Sequence, residues 1–137
     1  MIVGVFPMAA DFLHAGHVAA LQQAAQQCDK LIVTTGIWGN KDKAKPVQTI
    51  AERYMMLRAI KWVDEVIPCE TNEDMLTVLG CLDYQIRFVG SDYRDKDWTG
   101  KTMEEKRGIQ PIFIERQWHN LSSSEFKDRL KKSCSKA

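Results

Sequence analysis

His14 and His17 bracket Ala15-Gly16 at the point where a short apolar run gives way to a helical pattern. Two imidazoles at that spacing can donate hydrogen bonds to oxygens whose charge grows in a transition state. Gly16 between them lets backbone approach a ligand where a side chain would clash. A helix start carries unpaired N–H groups and a partial positive charge, so the cluster suits an anion, above all a phosphate. The basic stretch holding Lys41, Lys43 and Lys45 could close over the same anion. Arg53 could bind phosphate with its planar fork or pair with a carboxylate. Each feature has a plainer reading, as a solvated histidine or a solvated basic loop. Two histidines at one strand-to-helix turn favour the phosphate site.

Such a site needs strands that end at one edge. Residues 1–6 (Met-Ile-Val-Gly-Val-Phe) are short, apolar and β-branched, and predict a buried strand. Val18, Leu21, Ala25 and Cys28 recur at helical spacing and predict a helix over 16–27. Further strands are predicted at 30–35, 65–68, 86–90 and 111–115. Helices are predicted at 50–60, with Tyr54, Leu57 and Ile60 on its inner face, at 72–79, capped by Thr71 or Asn72, and at 122–132. Residues 36–49 and 92–107 read as loops. One domain is expected over 1–130, with 131–137 as a frayed tail. The alternation argues for α/β class: a single Rossmann-like domain with a mainly parallel five-stranded sheet flanked by helices. Right-handed crossovers then place the ligand outside the carboxyl ends of the strands, where strand order reverses.

Composition narrows the partners. At 137 residues and 45% hydrophobic content the chain can bury one core. A net charge of +1 makes no electrostatic case for nucleic acid or a membrane surface. No apolar run is long enough to span a bilayer, and the first one lacks a basic leader, so no signal peptide is expected. Cys28, Cys69, Cys81 and Cys134 show no metal-type pairing, and the first three sit in apolar patterns as expected reduced core residues. A cytoplasmic location is the expectation.

Asp11-Phe12-Leu13-His14-Ala15-Gly16-His17 resembles the D-x-x-H-x-G-H signature of the HxGH nucleotidyltransferases. Members of that superfamily join a nucleoside triphosphate to a phosphorylated small molecule and release pyrophosphate. Lys43-Ala44-Lys45-Pro46-Val47, Glu52-Arg53, Lys61-Trp62-Val63-Asp64-Glu65, Phe88-Val89-Gly90-Ser91-Asp92 and His119-Asn120-Leu121-Ser122-Ser123-Ser124 follow in the family's order. The chain is most similar to the small cytidylyltransferase branch typified by glycerol-3-phosphate cytidylyltransferase. This resemblance implies a homodimer that transfers CMP from CTP to a phosphorylated polyol, glycerol 3-phosphate first. It gives His14, His17 and Lys43 the catalytic roles, around the transferring phosphoryl group and the leaving pyrophosphate. Val5, Phe6, Gly16, Lys45, Arg53, Lys61, Asp92, Arg116, Ser122 and Ser123 are implied in binding nucleotide and phosphates. Asp11 is implied as the carboxylate that holds Mg²⁺.

The chain departs from that pattern in places. The family's G-T-F-D puts the aspartate directly after the phenylalanine, whereas Pro7-Met8-Ala9-Ala10 here separates Phe6 from Asp11. Lys61 stands where relatives usually carry arginine, which keeps the charge and loses the fork. Arg116 is displaced by one position. Two other readings stay open: an adenylyltransferase using ATP on a sugar phosphate or pantetheine phosphate, and a nucleotide-binding module without turnover.

Overall fold

Five parallel strands form one sheet: β1 (Val3–Pro7), β2 (Lys30–Gly36), β3 (Glu65–Cys69), β4 (Ile86–Gly90) and β5 (Gln110–Ile114), in the order β3-β2-β1-β4-β5. The structure, a computed structural model, describes residues 1–36, 45–115 and 123–135, with side chains in the last segment described from 127 to 134. Helices α1 (Ala15–Ala25), α2 (Ile50–Arg58), α3 (Asn72–Cys81) and α4 (Lys101–Lys106) connect the strands, and α5 (Ser123–Ser135) follows β5. The chain is the single Rossmann-like α/β domain that the alternation of patterns predicts.

Strand order explains where the core sits. The chain steps outward from β1 to β3, then returns past β1 to β4 and β5. With right-handed crossovers, the first run of helices covers one face and the second run the other. Phe6, Leu21, Ala24, Val33, Leu57 and Phe88 pack on the first face. Val5, Ile32, Met75, Leu79, Tyr84 and Ile109 pack on the second. Strands covered on both sides read as unbroken apolar runs, as Leu31-Ile32-Val33 does. β1 and β4 pair only at Gly4–Ile86 and Val5–Arg87, and both then run on unpaired with each other. That gap lies where strand order reverses, the usual place for a ligand in such a sheet.

Gly4 is a packing requirement of the central strand. A Cβ there would lie 2.3 Å from the Phe88 ring and 3.2 Å from Cys28 Sγ. Gly4→Ala is therefore expected to cost about 1–3 kcal/mol, the range for overpacking a filled core. Urea unfolding checks this: the midpoint should fall with the slope unchanged.

Several elements differ from the sequence reading. The buried residues of α1 are Ala19, Leu21 and Ala24, one step round from the predicted stripe of Val18, Leu21, Ala25 and Cys28. α2 ends at Arg58, and Arg53 joins Leu57 on its buried face. α5 reaches Ser135, so most of the stretch read as a frayed tail is helical. All four cysteines are free thiols, but Cys81 is exposed and does not join the core as predicted. Thr71, one of the two candidates, caps α3 and accepts from Asp74 N–H.

The largest correction is at 92–107, read as a loop. It contains a 3₁₀ turn (Ser91–Tyr93) and α4. The inward residue of α4 is Glu104, so no apolar stripe announced the helix. The Glu104 and Arg87 side chains are 3% and 5% exposed and pair at 3.0 Å. Tyr84 Oη donates to Glu104 Oε2 at 2.5 Å and Trp98 Nε1 to Oε1 at 3.0 Å. Arg87 Nη1 also donates to the Thr99 carbonyl at 3.0 Å. Burial, and then the Glu104 carboxylate, push the Tyr84 hydroxyl well above its ordinary range. Gly100, at φ +93, supplies the left-handed residue that opens α4.

Candidate active site

Residues 8–14 leave the carboxyl end of β1 and hand the chain to α1. Ala10 and Phe12 both take left-handed backbone, at φ 56 and 53, which costs a non-glycine residue about 1–2 kcal/mol. Such strain persists only where the surroundings impose it. Met8 N–H donates to the Thr34 carbonyl at 2.8 Å. Thr35 Oγ1 donates to the Ala9 carbonyl at 3.1 Å, and Phe12 N–H to Gln48 Oε1 at 2.7 Å. Pro7 still belongs to β1, and the residues from Met8 to Phe12 form a braced loop.

At its end the two histidines cap α1. His14 is the N-cap, and its Nδ1 accepts from Gly16 N–H at 3.0 Å. His17 Nδ1 accepts in turn from His14 N–H at 3.1 Å. With both Nδ1 atoms acting as acceptors, the proton of each neutral ring sits on Nε2. The rings are 4.0 Å apart between centroids. Burial lowers the His14 pKa. Burial, and then the neighbouring His14, lower that of His17 to about 4, against the opposing pull of Asp11. At neutral pH the pair is two uncharged N–H donors. Gly16, where the sequence reading lets backbone approach a ligand, gives its own N–H to His14 Nδ1.

The His17 shift has a consequence for stability. Between pH 6.5 and about 4 the unfolded chain binds a proton at this position that the folded chain does not. The stabilisation is complete above pH 6.5 and drains away as pH falls toward 4. The thermal midpoint is expected to drop across that window, and to drop less in His17→Asn; equal slopes for the two proteins would contradict the assignment.

Arg53, expected to bind phosphate or to pair with a carboxylate, is engaged through Nε and Nη1 with backbone carbonyls. It is 0% exposed. Nη1 donates to the carbonyls of Ala9 at 2.8 Å and Gly36 at 2.5 Å, and Nε to that of Gln48 at 3.2 Å. One guanidinium thus ties the loop at residues 8–14 to the end of β2 and to the segment that enters α2. Thr49 starts that helix with a reciprocal cap: Thr49 N–H donates to Glu52 Oε1 and Glu52 N–H to Thr49 Oγ1.

Asp11 is also engaged. Oδ1 accepts from Gln48 N–H and Oδ2 from Val47 N–H, both at 3.0 Å, and Lys127 Nζ reaches Oδ2 at 2.8 Å. Burial raises its pKa, but Lys127 and the two backbone donors outweigh this and hold the carboxyl below its ordinary value. As a metal ligand Asp11 does not fit: a cation on this carboxylate would meet an ammonium already in hydrogen-bonding contact with it. Lys127 was not foreseen, because nothing local in α5 marks it and its partner lies 116 positions away.

The other expected site residues divide. Asp92, exposed in the turn after β4, stands at the carboxyl edge of the sheet with the histidines. Lys45 is exposed two residues before Val47. Val5 and Phe6 point their side chains into opposite cores; Val5 pairs with Arg87, and only from Phe6 onward does the β1 backbone border the gap beside β4. Lys61 lies in the turn between α2 and β3, with Nζ 4.5 Å from the Trp62 ring centroid. A residue just before a parallel strand sits at the amino edge, so the fold does not bring Lys61 to the histidines of its own chain. Lys41, Lys43, Arg116 and Ser122 lie outside the described residues. So do the side chains of Ser123 and Ser124. Among the described residues no three His, Cys, Asp or Glu side chains gather as a metal site, and no helix is long and apolar enough to cross a membrane.

The chain is similar to known proteins. The chain is 48% identical over 62 residues to the ethanolamine-phosphate cytidylyltransferase of Mus musculus, a match covering 42% of this chain and 15% of that protein. It is 33% identical over 94 residues to the bifunctional protein HldE of Granulibacter bethesdensis, covering 66% of this chain and 19% of that one. The chain thus spans less than a fifth of the length of either relative. The crystal structure of the lipopolysaccharide core biosynthesis protein from Thermoplasma volcanium shares the fold, with a TM-score of 0.67 at 21% identity over 85% of this chain and 97% of that one. The sequence pattern of the cytidylyltransferase-like family matches residues 2–129, nearly the whole fold and every described part of the histidine site, and the chain belongs to that family.

Proposed function

We propose that this domain transfers CMP from CTP to a phosphorylated small molecule and releases pyrophosphate. The observation that carries the proposal is the histidine pair: two neutral Nε2–H donors at the start of α1, beside the gap between β1 and β4. In the reaction an acceptor phosphate oxygen attacks the α-phosphorus and the bond to the pyrophosphate oxygen breaks. Charge builds on the leaving pyrophosphate. Donors held in place before the reaction stabilise that charge without reorganising. Because each Nδ1 is occupied by a backbone N–H, the rings cannot turn their donors elsewhere. Lys43, Lys45, Arg116, Ser122 and Ser123 are proposed as phosphate contacts, and Asp92 as a contact for the nucleoside end.

Mg²⁺ belongs to the proposal as a companion of the triphosphate. This ion usually keeps several waters and binds chiefly through substrate phosphates. A homodimer and a cytoplasmic location are likewise proposed. Glycerol 3-phosphate leads as acceptor, and the name of the Mus musculus relative adds ethanolamine phosphate to the panel.

The test is pyrophosphate release with Mg²⁺, with CTP and ATP run in parallel against these acceptors and a set of sugar phosphates. Turnover with CTP and one acceptor supports the reading. Turnover with ATP alone replaces it by adenylyl transfer, and CTP binding without release by any acceptor leaves a binding module. Chelation with EDTA should abolish turnover while leaving the thermal midpoint in place.

A further inference from the structure

The Asp11 carboxylate joins three parts of the chain. Its side chain is 8% exposed, and its donors come from the segment before α2 and from α5. The Lys127 ammonium that reaches Oδ2 also stands 5.4 Å from the centroid of the Phe12 ring, next in sequence to Asp11. On either side of Asp11 the backbone is left-handed, at Ala10 and at Phe12. The bonds to Asp11 therefore sit at the centre of the strained stretch that leads into His14. Gln48 reinforces them, since its N–H donates to Asp11 while its side-chain oxygen accepts from Phe12 N–H.

We propose that Asp11 is a positioning residue and not a metal ligand, and that Lys127 is its partner. Together they latch α5 and the 47–48 segment onto the loop that carries His14, so that seating of the last helix sets the geometry of the histidine pair. A cation taken directly by Asp11 would have to expel the ammonium and break the latch. Mg²⁺ brought in by a triphosphate has no need to do so. The predicted effect on turnover rests on the CMP-transfer reading; the stability and metal-binding measurements do not.

The test is a double-mutant cycle in the full chain with Asp11→Asn, Lys127→Met and both together, followed by urea midpoints. Expected is strong non-additivity, the double variant being no less stable than the weaker single one. Simple additivity overturns the latch. Mn²⁺ alone, followed by water-proton relaxation, should bind wild type and Asp11→Asn equally within about twofold; a tenfold loss in the variant would restore Asp11 as a metal ligand. Should Asp11→Asn fail to fold, Lys127 decides. Lys127→Met should lower kcat by about tenfold to a hundredfold, the effect of a small misplacement, with little change in KM and no change in the Mg²⁺ concentration for half-activation. Lys127→Arg should restore most of the loss. Wild-type stability in Lys127→Met overturns the proposal even if the CMP-transfer reading itself fails.

Discussion

His17→Ala is expected to lower turnover about 10²–10³-fold, the usual cost of removing one pre-positioned donor from a developing charge. CTP should bind almost as before, because the contact strengthens only as the leaving group takes up charge. The substitution also removes the acceptor for His14 N–H, and losing such a helix cap costs about 1 kcal/mol. His17→Asn separates the two effects. Its side-chain oxygen can still accept from His14 N–H, but it presents no Nε2–H. It should therefore keep most of the stability and lose the turnover. Steady-state kinetics with thermal melts of both variants would check this, and full turnover in His17→Ala would remove the histidine from the mechanism.

The second large effect is expected far from the histidines. Glu104→Ala should cost about 3–5 kcal/mol, because breaking a buried pair leaves a charge without its counter-ion. Arg87 would be that charge, and Tyr84 and Trp98 would lose their acceptor in the same step. Against a typical domain stability of about 5–15 kcal/mol, this threatens the fold itself. Glu104→Gln keeps the shape and one acceptor oxygen and should cost clearly less. The chain from 92 to 100, which leaves β4 at the carboxyl edge, hangs from this cluster through Trp98 and the Thr99 carbonyl. Loss of the network should therefore loosen the region around Asp92 before the sheet melts, as protease cleavage or amide exchange would show. A loss below 1 kcal/mol, the size of a surface effect, would refute the role given to Glu104.

What could be read from sequence was local. β4 falls at 86–90 as its apolar run predicts, and the histidine cluster sits at the strand-to-helix turn where its spacing puts it. The cap at Thr71, one of the two predicted, uses a partner three residues on. What escaped depends on contacts across the fold. Arg53 reads as a phosphate fork in sequence, where the carbonyls at 9, 36 and 48 that its Nε and Nη1 engage cannot be seen. α4 has no apolar stripe because its inward side chain is a paired carboxylate. Asp11 reads as a metal ligand in sequence, where its contact with Lys127 cannot be seen. Lys61 is a different case: the resemblance alone put it in the site, and the strand that follows it sets it at the amino edge.

The first strand of this domain is also the central one of its sheet. β1 receives β2 soon after it, with Val3 beside Lys30, but its other neighbour begins at Ile86. On a ribosome, the nascent chain would hold one long edge of an apolar strand open while the following eighty or so residues emerge. Parallel pairing over such a separation is slow, and an open edge is a template for intermolecular pairing. Chaperone dependence and early aggregation should thus concentrate at β1, and chains stopped short of β4 should be the most prone to both. The same long-range seam, closed only as far as Val5 and Arg87, leaves the opening beside which the histidines sit.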